Sequence, residues 1–327
     1  MTNKVEPSPR IVYENFLPLV SIVVTTKNEE KNIENCLISI KAQTYKNIEV
    51  IVVDNFSTDR TVELARRDAD RVEILGPERS AQRNHGMIDI AKGEFVLYID
   101  ADMILSPILI ENCIDRIGLN DGALALHLPE VILGSRYLSK VRRYERQFYD
   151  GTVIDGARFF NREVFCDIKG FDSETFQRGS GEDWDIDKKI KRIGKICLLN
   201  GKANKPYLNE WKLRHFIQIR GVKFDPFYCG LYHNEAEFSV TQYLKKKLYY
   251  SEGFDGYIKK WGRNDPDIRR QFGFWYRYLI VFVESGKWRR MLSRPDLMIG
   301  MYILRIAVGI TFIYGKCKFF LSRYIKE

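Results

Sequence analysis

Short apolar runs alternate with segments of helical periodicity over residues 20–99, and this alternation limits the possible folds more than any other feature. The strand-like runs are 20–24, 48–53, 71–75 and 94–99. The helical segments between them are 31–43, 60–68 and 81–91. Strand and helix in strict alternation predict right-handed crossovers and a mostly parallel sheet covered by helices on both faces. We therefore expect an α/β fold of the Rossmann-like type.

Polar and acidic residues follow three of these strands. They are 25–29, Asp54 with Asn55, and 100–102. Because ligands bind beyond the carboxyl ends of parallel strands, these side chains are expected to meet at one edge of the sheet. Asp100 and Asp102 supply the oxygen ligands that suit Mg²⁺ or Mn²⁺ holding a substrate's phosphates. Such an Asp-x-Asp triplet is more often a solvated turn, but its place at the end of an apolar strand favours the metal.

A second acidic cluster, Gly-Glu-Asp-Trp-Asp at 181–185, opens a segment with helical periodicity. A carboxylate at this point is either a helix cap or a general base, and the residues alone leave the choice open. No GxGxxG motif follows the first strand and no GxxxxGK[ST] motif occurs. These absences argue against a dinucleotide-binding enzyme and against a P-loop enzyme.

Basic charge is concentrated towards the C-terminus. The chain has 52 Lys and Arg against 43 Asp and Glu, and residues 242–327 alone hold 18 basic and 7 acidic side chains. This segment is also rich in aromatic residues, which suggests a polyanionic partner. Its basic residues are mixed with long apolar runs and no nucleic-acid motif is present. We therefore expect an anionic membrane surface as the partner, and no nucleic acid.

The apolar run 297–315 carries one charge, Arg305, at its centre. At about 1.5 Å per residue it just reaches across a bilayer core of about 30 Å. A central arginine costs about 2.5–3.5 kcal/mol on insertion, and both flanks are basic, which a spanning helix does not favour. We expect a segment that is peripheral to, or monotopically inserted in, the cytoplasmic membrane face. The alternative is a core helix packed on the rest of the chain.

Cysteine usage and the N-terminal residues bear on the compartment. The six cysteines are scattered singly, without a CxxC pair, which predicts neither a zinc ribbon nor a disulfide framework. The first twenty residues contain no uninterrupted apolar stretch of the kind found in a signal peptide. We therefore expect a protein of a reducing, cytoplasmic compartment.

Five ordered motifs across residues 20–190 resemble those of the family 2 glycosyltransferases, which have the GT-A fold. The motifs are VSIVVTTKNEE, VIVVDNFSTD, RSAQRNHG, GEFVLYIDADM and GFDSETFQRGSGEDWDI. The resemblance implies a nucleotide-sugar donor, a divalent cation (Mn²⁺ or Mg²⁺) and inversion at the anomeric carbon. It is loose beyond residue 240, and 201–230 looks like an insertion.

The resemblance also assigns donor-binding residues. They are Thr25, Lys27, Glu29, Asp54, Asn55, Arg79, Arg83, Asp100 and Ala101. The family often has an aromatic residue at the position of Lys27 and an acid at that of Asn55. A UDP-sugar is the preferred donor, with GDP- or dTDP-sugars as alternatives. Arg79 and Arg83 suit the diphosphate, since a guanidinium fork matches phosphate oxygens; a solvated helix face is the alternative.

The resemblance also assigns metal-binding and catalytic residues. The implied metal ligands are Asp100, Asp102 and His233. His233 is preferred to His215 as the third ligand, and a structural histidine is the alternative. Asp183 matches the family's catalytic base, with Glu182 orienting it. Trp184 offers an apolar floor for the acceptor, or is plain core.

The predicted organisation has three parts. They are an N-terminal extension (1–18), a GT-A catalytic domain (19–240, with a nucleotide-sugar half 19–120 and an acceptor half 121–240) and a basic, aromatic helical tail (241–327). The expected activity is metal-dependent, inverting transfer of a sugar to a hydroxyl of a glycan or lipid-linked acceptor. Two alternatives stay open: a catalytically silent nucleotide-sugar-binding or membrane scaffold protein, and a sugar-nucleotide pyrophosphorylase.

Overall fold

A computed structural model describes residues 17–118, 122–176, 181–207, 211–251 and 253–324, with side chains as far as Gly315. The predicted N-terminal extension 1–18 lies outside the described residues except for Leu17 and Pro18. The strands are β1 (Val20–Thr26), β2 (Ile48–Asp54), β3 (Arg71–Ile74), β4 (Phe95–Asp100), β5 (Met103–Leu105), β6 (Ala123–His127), β7 (Glu130–Leu133), β8 (Phe159–Asn161), β9 (Lys195–Leu198) and β10 (Leu231–Asn234).

Within the described residues, seven strands form a central sheet in the order β3-β2-β1-β4-β8-β6-β9. All neighbours are parallel except at β8, which is antiparallel to both β4 and β6. A smaller sheet has the order β5-β10-β7. Its strand β5 follows the carboxyl end of β4 in the chain. The predicted α/β fold with a mostly parallel sheet is confirmed.

Helices connect the strands and form the C-terminal region. The α-helices are α1 (Ile33–Lys41), α2 (Thr61–Asp68), α3 (Arg79–Asn84), α4 (Leu109–Gly118), α5 (Tyr137–Arg146), α6 (Arg162–Asp167), α7 (Glu182–Lys191), α8 (Arg214–Ile219), α9 (Val240–Ser251), α10 (Phe254–Trp261), α11 (Pro266–Phe272), α12 (Val281–Val283), α13 (Trp288–Ser293) and α14 (Pro295–Tyr324). A π-helical turn, His85–Ile90, continues α3, and the two together replace the single helix predicted over 81–91. A second π-helical turn, Tyr276–Ile280, precedes α12.

Apolar side chains cover both faces of the central sheet, because successive residues of a strand point to opposite sides. On one face, Ile22 and Val24 of β1 share a core cluster with Leu37 of α1. On the other face, Val23 packs in a cluster that includes Ile186 of α7. Helix α7, which opens with the second acidic cluster, is therefore anchored directly on the sheet that carries the strand-end residues.

The stretch 201–230, which the sequence predicts to be an insertion, packs into the main core. Its aromatic residues Tyr207, Trp211 and Phe224 are buried and belong to the same cluster as Ile22 of β1. Their rings contact one another edge-on or tilted, with centroids 5.6–6.4 Å apart. This stretch leads into β10, so it helps to position the residues at the end of that strand.

The C-terminal helices pack on the rest of the chain through α5. Leu297, Met301 and Leu304 of α14 share a buried cluster with Val141 and Phe148. Among the described residues, Pro295–Gly315 is the one helical stretch that is long and apolar enough to cross a membrane by length and composition, and 22% of it is buried. The helix thus has one face inside the protein and a larger face outside it.

Candidate active site

The carboxyl ends of β1, β2 and β4 bring the predicted strand-end residues to one edge of the sheet. In the register of the strands, Thr25 lies opposite Asp100, and Thr26 lies opposite Asp54. The Thr25 hydroxyl donates to Asp100 Oδ1 at 3.2 Å, and the Ala101 N–H donates to the Thr25 carbonyl at 3.2 Å. The first half of the candidate site is therefore built on neighbouring, hydrogen-bonded strands.

The loop after β1 is tied to the loop after β2. Asn28 has a left-handed backbone (φ 54°) and accepts from the Thr58 N–H at 2.9 Å through its side-chain oxygen. Glu29 accepts from the Asn32 side chain at 2.7 Å, whereas Lys27 is exposed. The predicted base- and ribose-binding segment is thus held in one shape, with the Lys27 side chain free to contact a nucleotide.

Asp54 is the last residue of β2, Asn55 follows it, and both are buried. Asp54 Oδ2 accepts from the Ser57 N–H at 2.7 Å, and the Asn55 side chain donates to the Pro77 carbonyl at 2.9 Å. A Cβ at Gly76 would lie 2.3 Å from Asn55 Oδ1, so only glycine allows this approach. Both side chains shape the loops around the site, and their contact with a nucleotide stays a prediction.

Arg83 joins the two acidic motifs. Its side chain is buried, and its guanidinium group donates to Asp183 Oδ1 at 3.1 Å and to Asp100 Oδ1 at 3.4 Å. The guanidinium carbon lies 4.2 Å from the centroid of the Tyr98 ring. Burial favours a higher pKa for Asp100, but Arg83 and Arg79 outweigh it and lower the pKa below its usual range. Arg83 is therefore not a solvated helix residue, and it fixes the distance between the motifs.

Asp183 lies in the first turn of α7, after Gly181, whose backbone is left-handed. Besides Arg83, the buried Tyr98 hydroxyl donates to Asp183 Oδ1, at 2.9 Å. Burial and the Asp183 charge raise the pKa of Tyr98, so the phenol remains a donor. No described residue donates to Asp183 Oδ2, and 37% of the side chain is exposed. Hydrogen bonds from described residues therefore hold one carboxylate oxygen and not the other.

Glu182 differs from Asp183 because it is buried and paired. Its Oε1 accepts from the Arg79 guanidinium group at 2.6 Å and lies 3.9 Å from Arg83. Burial and the neighbouring Asp183 charge raise the pKa of Glu182, whereas the two arginines lower it to a smaller extent. Glu182 thus holds Arg79 at the mouth of the site, where a third of the Arg79 side chain is exposed.

The smaller sheet brings His233 to Asp102. His233 on β10 is paired with Met103 on β5, directly after Asp102. Its Nε2 lies 3.1 Å from Asp102 Oδ2, and its Nδ1 lies 2.9 Å from Glu130 Oε1. His215 is exposed on α8, so the structure brings His233, and not His215, to the acidic pair.

The residues present suit a divalent cation that takes most of its ligands from a substrate. Asp102 Oδ1 is buried next to the His233 imidazole and has no hydrogen-bond partner among the described residues. Glu29 is also close, since Asp102 and Asp100 add to the effect of burial in raising its pKa. Within the described residues no group of three or more His, Cys, Asp or Glu side chains surrounds a common position. The Asp102 carboxylate oxygen and the imidazole beside it are the protein ligands that Mg²⁺ or Mn²⁺ could share with phosphate oxygens.

Trp184 packs between α7 and the C-terminal helices. Its ring is stacked on Phe254 (centroids 5.5 Å apart) and meets Phe272 edge-on at 5.8 Å. Its indole N–H donates to the Ile154 carbonyl at 3.0 Å. These contacts are those of a core residue linking α7 to α10 and α11, and a role of Trp184 in acceptor binding stays a prediction.

Tyr98 and Glu130 belong to the site although the sequence analysis did not select them. Tyr98 lies in the apolar run of β4, where it looks like a core residue. Tyr98 lies two residues before Asp100, so both side chains are on the same face of the strand. This spacing could have indicated that Tyr98 lies near the site. Glu130 orients His233 from β7, and its Oε2 lies 3.5 Å from Arg146. Only the pairing of β7 with β10 brings it there, so no local pattern could have indicated it.

Comparison with known proteins supports the predicted family. Residues 21–170 match the family model "Glycosyl transferase family 2". The glycosyltransferase GlyG of Streptococcus pneumoniae serotype 4 is 33% identical over 125 residues, which are 36% of this chain and 39% of the relative. The hyaluronan synthase of Pasteurella multocida is 31% identical over 198 residues, or 57% of this chain and 20% of the relative. The chain thus spans two fifths or less of the length of these relatives.

A solved structure shows the same fold. The mannosyltransferase PcManGT from Pyrobaculum calidifontis, in complex with GDP-Man and Mn²⁺, superposes with a TM-score of 0.55 at 18% identity. The match covers 92% of this chain and 88% of that one. The expected GT-A fold is therefore confirmed. The match to the glycosyl transferase family 2 model covers residues 21–170 of this chain.

Proposed function

We propose that the protein transfers a sugar from a nucleotide-sugar to an acceptor hydroxyl, with inversion at the anomeric carbon and with Asp183 as the general base. The observation that carries the proposal is the asymmetric holding of the Asp183 carboxylate. Tyr98 and Arg83 fix Oδ1, while Oδ2 receives no hydrogen bond from a described residue. A proton acceptor that is fixed at one oxygen and open at the other suits a hydroxyl that must be deprotonated as it reacts.

In this reaction the acceptor proton moves to Asp183 Oδ2 while the acceptor oxygen bonds to the anomeric carbon. The bond from that carbon to the diphosphate oxygen breaks, and its electron pair leaves with the nucleoside diphosphate. A single displacement of this kind inverts the anomeric configuration. We assign the binding of the leaving diphosphate to Arg79, which is hydrogen-bonded to Glu182, because a guanidinium fork matches phosphate oxygens.

We assign the donor to the strand-end residues described above, with a UDP-sugar preferred and GDP- or dTDP-sugars as alternatives. The GDP-Man complex of PcManGT supports a nucleotide-sugar in a fold of this kind. Asp102 and His233 would hold Mn²⁺ or Mg²⁺, with Asp100 contacting the ribose or a metal-bound water. When bound, the cation would stabilise negative charge on the leaving diphosphate.

We also propose that the acceptor is a glycan or lipid-linked molecule and that the C-terminal helices meet the cytoplasmic membrane face. Arg305 does not face outward: its guanidinium group donates to Glu145 of α5 at 2.8 Å and 8% of the residue is exposed. The opposite face of α14 exposes Ile303, Ile310 and Ile313 to 61–66%. A helix tied to the body on one side and apolar on the other suits insertion parallel to the membrane plane.

The experiment that tests the donor site is a thermal-shift panel of UDP-, GDP- and dTDP-sugars, each with and without Mn²⁺. Binding to the native state raises its apparent stability, so no acceptor is required. We expect a shift with one nucleotide class that depends on the metal and is lost in Asp102→Ala. The absence of any shift would favour a scaffold protein without donor binding.

A further inference from the structure

We propose that the aromatic ring of Phe56 binds the base of the donor nucleotide by stacking. Phe56 lies in the loop after β2, directly after Asp54 and Asn55. This inference deepens the proposed function, and it rests on that function for the presence of a nucleotide donor. Three observations support it: the backbone and exposure of Phe56, its position beside Lys27, and its contact with the segment that leads to Arg79.

Phe56 is unfavourable for the stability of the free protein in two ways. Its backbone is left-handed, with φ 50°, a conformation that a residue with a bulky side chain rarely adopts. The residue is also 62% exposed, so it buries little apolar surface in return. Within the described residues, the other non-glycine positions with a left-handed backbone are Asn28, Lys169 and Ser285, which are all polar. A strained, exposed aromatic residue that adds little to folding points to a functional role.

Two hydrogen bonds place Phe56 beside Lys27. The N–H of the residue before Phe56 donates to the Thr26 carbonyl at 2.8 Å. The hydroxyl oxygen of the residue after it, Ser57, accepts from the Asn28 N–H at 2.7 Å. The loops after β1 and β2 therefore run side by side, with Phe56 next to Lys27 between these two hydrogen bonds. This is the segment that the sequence predicts to bind the base and the ribose.

On another side, the Phe56 ring lies against the chain that leads to Arg79. A Cβ at Gly76 would lie 3.1 Å from Phe56 Cδ2, so the ring packs on this glycine. Arg79, to which the leaving diphosphate is assigned above, follows three residues later and begins α3. Three residues of chain span at most about 11 Å, a distance that a nucleoside diphosphate bridges between its base and its terminal phosphate. A donor whose diphosphate meets Arg79 can therefore place its base at Phe56.

The chemistry of an exposed phenyl ring fits the base better than it fits the diphosphate. A nucleobase offers a flat π face that stacks on an aromatic side chain, whereas the diphosphate is charged and strongly hydrated. Because every base has such a face, stacking favours no particular base. The choice among uracil, guanine and thymine would then depend on hydrogen bonds from other groups. We therefore assign to Phe56 a contribution to donor affinity and not to the choice of nucleotide.

The test measures binding to the full chain by calorimetry, with Mn²⁺ present and without acceptor. The probes are UDP, GDP and dTDP, with inorganic pyrophosphate as the ligand that lacks a base. We expect Phe56→Ala and Phe56→Gly to weaken the best-binding nucleotide by roughly tenfold and to leave pyrophosphate affinity within about twofold of the wild type. Phe56→Tyr keeps an aromatic ring and should keep the affinity. Phe274→Ala, at a phenylalanine that is 63% exposed in the C-terminal region, is the matched control and should bind like the wild type.

Thermal melting without ligand separates the effect of the backbone from that of the ring. Glycine adopts a left-handed backbone without strain, whereas alanine does not. We therefore expect Phe56→Gly to melt at a higher temperature than Phe56→Ala, although both bind nucleotide equally weakly. At Lys169, another left-handed position (φ 59°), glycine should likewise melt higher than alanine, but both variants should keep the nucleotide affinity of the wild type.

The outcomes separate this inference from the proposed function. Wild-type nucleotide affinity in Phe56→Ala and Phe56→Gly would overturn the stacking role and leave the proposed function standing. An equal loss of affinity for nucleotide and pyrophosphate would also overturn it, because the substitution would then have disturbed the loops and not removed a stacking contact. If the wild type bound none of the nucleotides, the proposed function would fail, and the role of Phe56 would fail with it.

Discussion

At the scale of single residues, the candidate site depends on how a few buried groups hold one carboxylate. Tyr98 and Arg83 both donate to Asp183 Oδ1, and Arg83 is itself fixed by the Tyr98 ring beneath it. In the proposed reaction Oδ2 is then the oxygen that takes the proton. Two substitutions separate the role of that oxygen from the role of the groups that hold the other one.

Asp183→Asn should remove turnover while donor binding stays within about twofold of the wild type. The amide keeps an oxygen for Tyr98 and Arg83 but cannot take a proton, and loss of a general base costs about 10²–10⁴-fold in rate. Initial rates and donor affinity by calorimetry provide the comparison. A parallel fall in donor affinity would show that Asp183 binds the donor and is not the base.

Tyr98→Phe should lower kcat by roughly tenfold and leave the donor KM unchanged. The substitution removes one hydrogen bond to Oδ1 but keeps the ring that packs on Phe160 and under Arg83. A charge-assisted hydrogen bond of this type contributes about 1.5–3 kcal/mol. Tyr144→Phe is the matched control, because that hydroxyl donates to backbone carbonyls of α13. An equal effect of both substitutions on kcat would indicate a loss of stability and not of base positioning.

At the scale of elements, α7 is held from the C-terminal side as well as by the sheet. Asp185, two residues after the proposed base, is fully buried and accepts from the Trp261 indole N–H at 2.7 Å and from Lys260 at 2.9 Å. Lys188 pairs with Asp265 at 2.6 Å. Helices α10 and α11 therefore set the position of the helix that carries the proposed base.

Trp261→Phe should destabilise the protein by about 1.5–3 kcal/mol, because the buried Asp185 carboxylate loses a donor. The substitution should also reduce kcat by a larger factor than it reduces donor affinity, because α7 would lose a contact that fixes its position. Trp211→Phe is the control: within the described part of the chain the indole N–H of this buried residue has no hydrogen-bond partner, so the same change of ring loses no bond there. Urea unfolding and steady-state rates on both variants give the comparison. An unchanged kcat in Trp261→Phe would limit the contact to a structural role.

The sequence predicted the elements whose pattern is local. Apolar strand runs and the polar residues after them placed Thr25, Asp54 and Asp100 at one sheet edge, because a parallel register follows from strand–helix alternation. The pattern could not show that β10 pairs with β5 and thereby brings His233 to Asp102, 131 residues away. Nor could it show that Arg305 pairs with Glu145, 160 residues away. Such contacts depend on tertiary packing and leave no periodic signal.

At the scale of the whole molecule, the C-terminal helices connect two features that the sequence shows as separate. They hold α7 through Asp185, and they expose the isoleucine face of α14. The proposed base and the proposed membrane surface would then share one support. A lipid-linked acceptor, as proposed above, would reach the proposed base from the membrane surface.

The paired substitution Ile303→Glu and Ile310→Glu should release the protein from vesicles that contain anionic lipid. Each isoleucine that moves from water into lipid contributes about 1.5–3 kcal/mol, so the loss of two should weaken binding by well over tenfold. Both side chains point away from the core, so melting should be unchanged. Ile219→Glu, at a similarly exposed isoleucine on α8, is the matched control and should still co-sediment.

Salt dependence tests the same surface from its charges. Three basic residues precede α14: Lys287, Arg289 and Arg290. Raising the ionic strength should therefore weaken the binding of the wild type to vesicles without abolishing it. Salt screens the attraction between these cations and anionic lipid but leaves the apolar contribution of α14. Co-sedimentation at low and high salt measures both parts. If the glutamate variant bound vesicles as well as the wild type at every salt concentration, the exposed face of α14 would not be a membrane surface. The lipid-linked acceptor would then lose its support, whereas the Asp183 and Tyr98 predictions would stand unchanged, since neither depends on where the acceptor resides.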